Sequence, residues 1–431
     1  MHRTFFVLFL ALVSFGTLFA QNAAYSEIDR MADQLESQVI AWRRDFHQYP
    51  ELSNREFKTA EKIAAHLKSL GLEVRTGVAV TGVVAILRTG KPGPTIALRA
   101  DMDALPVTER APVPFASRVR DTYLDQEVGV MHACGHDTHV SMLMGAASIL
   151  TRMKNQLKGT VVFLFQPAEE GAPPGEKGGA GLMVEEGVLD NPKAEVVFGL
   201  HINAQTEVGM IRFKPGGTMA AADKFTIKVK GKQTHGSTPW TGIDPITVAA
   251  QIIQGLQMIV ARQSDLTKEP AVISVGKITG GVRHNIIPEE VEMIGTIRTL
   301  DPDMQDLIHQ KIKLTATNIA EASGATAIVD IERGVPVTFN SIELTQAMGP
   351  TMKRVAGEDN VVLTRAITGS EDFSFFANKV PGLFLFLGGM PKGKNPMEAA
   401  PHHTPDFYID DSGMKLGVRL LCNLTVDYMN K

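Results

Sequence analysis

From Ser26 to Gln48, apolar residues recur at Ile28, Met31, Leu35, Val39, Trp42 and Phe46. Steps of three and four place them on one helical face. The pattern predicts an amphipathic helix, capped by Ser26 and ended before Pro50. A second helix is predicted over about Glu56 to Leu70, closed by Gly71 where left-handed backbone is needed. Beyond it the rhythm changes. Val83–Leu87, Thr95–Ala100, Val161–Phe165, Val196–Leu200 and Leu383–Leu387 are near-continuously apolar rather than alternating. Strands buried on both faces of a parallel sheet carry such runs. Their alternation with helical stretches predicts an α/β domain, a mainly parallel sheet with helices on both faces.

The segment from about Lys214 to Gly334 has a different order. Lys224–Lys230 alternates as a half-buried strand, and Pro245–Leu266 reads as a helix. Ala271–Ile278 and Val291–Thr299 read as strands, Asp303–Ala322 as a helix and Thr326–Glu332 as a last strand. The succession β-α-β-β-α-β is ferredoxin-like α+β. Inserted in the larger domain, it would act as a lid. The expected organisation is a first catalytic part over 25–213, a lid over 214–334 and a second catalytic part over 335–431.

Residues 1–20 stand apart. Phe5 to Ala20 is apolar except for Ser14, Gly16 and Thr17, and Ala20 is followed by polar Gln21 and Asn22. The run is short for a bilayer span of about 20 residues. It reads as a cleaved signal peptide, with an uncleaved N-terminal anchor as the alternative. Export to a periplasm or the extracellular space is expected, with no stable membrane insertion after cleavage. Forty-three basic residues face 47 acidic ones, a net charge of −4. That balance argues against a general nucleic-acid or anionic-membrane binder. Two cysteines in 431 residues exclude a disulfide scaffold.

Five clusters carry chemistry. RADMDALP holds Asp101 and Asp103, and MHACGHDTH holds His132, Cys134, His136, Asp137 and His139. FQPAEEG holds Glu169 and Glu170, FGLHI holds His201, and PHHTPDF holds His402 and His403. Three of the five directly follow predicted strands, at the edge where ligands bind an open parallel sheet. Cys, His and Glu suit zinc, and a thiolate or carboxylate can bridge two ions. Of two adjacent carboxylates behind a buried strand, one can hold a metal while the other takes a proton from water. His47, His66, His284 and His309 lack ligand spacing and read as ordinary. Asp137 reads as a helix-start group and Cys422 as a buried apolar cysteine.

Together these motifs resemble the M20 family of metallopeptidases. The likeness is closest to its amidohydrolase branch of hippurate, N-acyl-amino-acid and auxin-conjugate hydrolases, and it extends from PELSNRE (Pro50–Glu56) to the C-terminal histidines. The resemblance implies two divalent metal ions, zinc first, with manganese, cobalt or nickel as alternatives. It implies Cys134 (bridging), His136, Glu170, His201 and His403 as ligands and Glu169 as the general base that activates water. Asp101 stands where the wider family has a His ligand, which makes Asp103 a supporting group behind the ligands. His235 matches a residue that reaches a partner subunit's site and stabilises the oxyanion, implying a homodimer through the lid. Asn285 and Arg298 match residues that hold the substrate carboxylate; Arg298 reads equally as a surface salt bridge. The implied reaction is amide hydrolysis of an N-acyl amino acid. A carboxypeptidase or dipeptidase on the same scaffold is the alternative, and a non-catalytic metal- or peptide-binding relative the second. The chain departs from the family at APPGEKGG after Glu170, which is longer, and after His201, where a proline is missing.

Overall fold

The computed structural model describes residues 23–431; the signal-peptide reading of 1–20 lies outside the described residues. The main strands are β1 (Glu73–Val78), β2 (Gly82–Arg88), β3 (Thr95–Asp101), β4 (Thr160–Gln166), β5 (Val196–Glu207), β6 (Ile211–Phe213), β7 (Ala221–Lys230), β8 (Ala271–Gly280), β9 (Glu290–Thr299), β10 (Thr326–Val335), β11 (Val361–Leu363) and β12 (Gly382–Met390). The main helices are α1 (His2–Gln48), α2 (Phe57–Ser69), α3 (His136–Arg152), α4 (Pro245–Met258), α5 (Pro302–Ala322), α6 (Ile342–Ala356) and α7 (Met414–Met429). Among the described residues no helix is long and apolar enough to cross a membrane.

The chain forms two compact units. Of the described residues, one comprises 23–213, 340–364 and 376–431, the other 214–339 and 365–375. The first holds an eight-stranded sheet in the order β1-β2-β4-β3-β5-β12-β6-β11. Its four central strands, β4, β3, β5 and β12, run parallel. Every residue of β12 is buried, and β4 is buried from Val161 on, which explains their unbroken apolar runs. Helix α3 is buried from His136 to Leu150, packed against α1, α7 and β3. A helix buried all round needs no polar face, and its sequence HVSMLMGAASIL provides almost none.

The second unit is a four-stranded antiparallel sheet, order β8-β9-β7-β10, with α4 and α5 sharing its core. The succession is the β-α-β-β-α-β read from the sequence. Its limits differ from 214–334. A strand at Thr338–Asn340 pairs with Gly216–Met219, and Ala220 donates to the carbonyls of Ile367 and Gly369. These backbone bonds carry the unit to residue 339 and draw 365–375 into it. Ser26 lies inside α1 rather than capping it. The polar, half-exposed edge strand β1 has no apolar signature and went unpredicted.

Candidate metal and catalytic centre

Register explains why distant motifs meet. Along β3 and β4, Asp101 is paired with Gln166, so both strands leave the sheet at one edge. Arg99 is paired with Gly199 across β3 and β5, which puts His201 level with Asp101. Strand β5 continues to Glu207, so His201 sits within a strand rather than at its end. Cys134 precedes α3 and His136 is its first residue, with left-handed Gly135 between them (φ 93°). Ala168 and His403 also have positive φ, 51° and 62°. Non-glycine residues held there cost about 1–3 kcal/mol each and mark places where the surroundings dictate the backbone.

Ligand atoms of Cys134, His136 and His201 form one mutually close group, and those of Cys134, Glu170 and His403 another. Cys134 is common to both. Its Sγ lies 3.4 Å from His201 Nε2 and 3.3 Å from His403 Nε2. Glu170 Oε1 is 3.1 Å from His403 Nε2 and 4.0 Å from His136 Nε2. Glu169 Oε2 is 3.8 Å from His136 Nε2. His402 also lies beside Cys134, its Nδ1 3.2 Å from the Cys134 carbonyl and 3.7 Å from Sγ, but both its ring nitrogens are taken, because its Nε2 accepts the Ala204 N–H at 3.1 Å. That leaves His403 to face the cluster.

The imidazoles of His136 and His201 are oriented from behind. His136 Nδ1 is bound to the carbonyl of Asp103 at 2.9 Å and lies 3.1 Å from its Oδ1. His201 Nδ1 is 2.6 Å from the Ile202 carbonyl, which leaves Nε2 turned to Cys134. Asp103 Oδ2 also accepts the Ser53 hydroxyl and the Glu170 N–H. His139 joins this layer, with Nδ1 2.5 Å from Asp101 and Nε2 accepting the Ile202 N–H. Arg99 donates to Asp101 at 2.6 Å inside the fully buried strand.

The electrostatics favour a cation. Buried His136 Nε2 has no hydrogen-bond partner among the described residues. Burial opposes charge on His136, but Asp101 and Asp103 outweigh it and lift its pKa to about 10. Burial, then Glu170, Glu169 and Asp101, push the Cys134 thiol well above its ordinary value. Such a site holds protons until something more positive replaces them. Imidazole nitrogens, a thiol and carboxylates together suit a zinc-like divalent ion. The residues that would hold two such ions are Cys134, His136 and His201 in one group and Cys134, Glu170 and His403 in the other.

The sequence profile of Peptidase family M20/M25/M40 matches residues 97–427. The chain belongs to this family. Thermostable carboxypeptidase 2 of Saccharolobus solfataricus is 41% identical over 400 residues, covering 92% of this chain and 97% of that protein. The N-acetyl-L-cysteine deacetylase of Bacillus subtilis is 37% identical, covering 88% and 85%. The crystal structure of the Bacillus subtilis YXEP protein, a dinuclear metal binding peptidase of the M20 family, is 33% identical. It superposes with a TM-score of 0.77 over 92% of this chain and 99% of that one. This M20 protein is accordingly a metal-dependent amide-bond hydrolase that uses two divalent ions.

The remaining predicted residues lie in the second unit. His235 is exposed, its ring Nδ1 2.7 Å from Ser237 Oγ, in a short ladder that pairs it with Ile286. Gly236 donates to the Asn285 carbonyl, so His235 and Asn285 share one turn. Asn285 Oδ1 is buried without a partner among the described residues. Arg298, half-buried on β9, donates to Thr296 Oγ1 at 2.7 Å.

Two residues read as ordinary are not. His47 is buried between Asp137 (2.8 Å) and Glu109 (3.1 Å). Arg43 donates to the same Asp137 oxygen at 2.8 Å and to Asp411 at 3.1 Å. Asp137 thus ties the first turn of α3 to α1 as well as opening a helix. His309 is bonded to buried Asp223 at 2.7 Å. Arg99 and Asp101, alternating in an otherwise apolar strand, were the one sequence signal for buried polar networks here. Cys134 and Cys422 are both free, so no bridge competes with the metal site.

Proposed function

We propose that the protein is an exported zinc amidohydrolase that cleaves N-acyl amino acids as a homodimer joined through the 214–339 unit. The observation that carries this is Glu169, a carboxylate beside a complete donor set and not needed within it. Divalent ions supply Lewis acidity when bound and lower the pKa of water from 15.7 to about 7. Glu169 takes the proton of the attacking water, holds it in the cleft and returns it to the leaving amine. Asp103 orients His136 and Glu170 while this happens. Arg298 offers a planar guanidinium without an ion-pair partner among the described residues, suited to bidentate capture of a substrate carboxylate. His235, on the exposed turn, would reach the site of a second copy and donate to the oxyanion. A carboxypeptidase reading also stands, because a 41% identical relative is named thermostable carboxypeptidase.

The test is hydrolysis of a panel of N-acetyl and N-benzoyl amino acids and dipeptides, after chelation and after zinc or manganese is restored. Restored turnover of the acyl amino acids is expected, and dipeptides as the better substrates would select the alternative. Glu169→Gln is expected to lower kcat about 10²–10⁴-fold with metal retained. Near-normal turnover would remove Glu169 from the mechanism.

A further inference from the structure

Glu56 is fully buried, far in sequence from every motif with an assigned role. Its Oε1 accepts the Ala168 N–H at 2.9 Å, and its Oε2 accepts the Thr81 hydroxyl at 2.6 Å. Ala168 is the left-handed residue immediately before Glu169. On the other side of Glu169, the Glu170 N–H is bound by Asp103. Two buried carboxylates thus grip the backbone on both flanks of the general base. The neighbouring residues continue the grip. Asn54 donates to the Lys177 carbonyl at 3.0 Å, and Arg55 and Asn54 both bond Glu176 in the APPGEKGG loop.

A buried carboxyl group, its pKa lifted to about 8 by burial and then by Asp103, is a costly way to accept an amide and a hydroxyl hydrogen. It holds a strained turn whose relaxed form would lose the direction of Glu169. We propose that Glu56 is a positioning residue for the proton transfers of Glu169, acting through the Ala168 N–H. This rests on Glu169 being the general base. Glu56 belongs to none of the residue groups that could hold a metal among the described residues. Its effect is on kcat, because misplacing a reacting group by about 1 Å can cost about 10²-fold.

The experiment compares Glu56→Ala, Glu56→Gln, Thr81→Val and Glu169→Gln in the full chain with zinc restored. It uses the N-acyl amino acid that turns over fastest. Metal content, melting temperature, kcat and KM are read for each. Glu56→Ala is expected to lose about 100-fold in kcat per metal-loaded site, with KM within about threefold and both ions retained. Glu56→Gln keeps an acceptor for Ala168 and is expected within about fivefold of the parent. Thr81→Val removes one of the two bonds that fix the Glu56 carboxylate and is expected to lower kcat about tenfold; it carries the test if Glu56→Ala does not fold. A parent-like kcat in Glu56→Ala or, failing that, in Thr81→Val would overturn the proposal. So would a Glu56→Gln as impaired as Glu56→Ala, or a loss that tracks metal content alone. A crippled Glu169→Gln beside an unimpaired Glu56→Ala refutes only the positioning role. An active Glu169→Gln refutes the base assignment itself.

Discussion

Gly135 joins Cys134 and His136, two of the proposed metal ligands, and its replacement by alanine can be worked from the structure. Its φ of 93° is in a region that alanine adopts only with strain. A Cβ built there would lie 2.4 Å from Ile202 Cγ2 and 3.3 Å from Phe407 Cζ. Both neighbours are buried, so neither can swing into solvent. The backbone strain costs about 1–2 kcal/mol and the overpacking about 1–3 kcal/mol. In a unit of this size a sum of about 3 kcal/mol corresponds to a melting point lower by roughly 5 °C. The strain is relieved by turning the peptide, which swings Cys134 and His136 apart, so zinc affinity falls as well. Thermal melts of the metal-free protein would give the first quantity, and competition with a chromophoric chelator the second. The double variant Gly135→Ala/Ile202→Ala should be more stable than the two single losses added together, because the second change opens the space the first one needs. A metal-free melt within 1 °C of the parent, or strict additivity in the cycle, would refute the steric reasoning.

Metal binding should strengthen with pH. Cys134 and His136 both hold protons in the metal-free site, the thiol raised well above its ordinary value and the imidazole to about 10. An ion must displace both, and His403, whose pKa is raised by Glu170, adds to the count, so between pH 6 and 8 affinity should climb at least about a hundredfold per pH unit, and Cys134→Ser should reduce that slope about tenfold. Competition titrations at three pH values check this. Buried Asp223 is an acid-sensitive point of the second unit. Burial opposes its charge, but His309, Gln305 and the Gly334 N–H hold its pKa below the usual value. Its stabilisation is therefore present above the ordinary carboxylate pKa and lost as pH falls through the lowered folded value. Asp223→Asn should flatten the acid limb of the stability–pH curve measured by denaturant melts. Arg43→Ala should destabilise the first unit by about 3–5 kcal/mol, because it takes the guanidinium from the buried charge of Asp137 and leaves His47 as its ion-pair partner among the described residues. Urea unfolding with an unchanged midpoint would contradict that.

The linear sequence by itself determined the elements whose burial is uniform or periodic. The apolar runs of β4 and β12 and the alternation in β7 are visible because each strand meets one kind of environment along its length. It also placed Asp103 and Glu169–Glu170 at strand exits, and the parallel register then brings those exits to one edge. What it could not decide are contacts between residues whose types carry no spacing rule. His402 and His403 are chemically identical; the Cys134 carbonyl and the Ala204 N–H take both ring nitrogens of the first, while the second turns its Nε2 to Glu170 and Cys134. Arg43 finds Asp137 across 94 positions and Asp411 across 368. Glu56 finds the Ala168 amide across 112. Such pairings exist because buried charges and amides must be satisfied somewhere, and the chain shows which groups need partners but not which partner the fold will bring. The same holds for the limits of the second unit, set at 339 and 365–375 by backbone hydrogen bonds to which every residue type is equally suited.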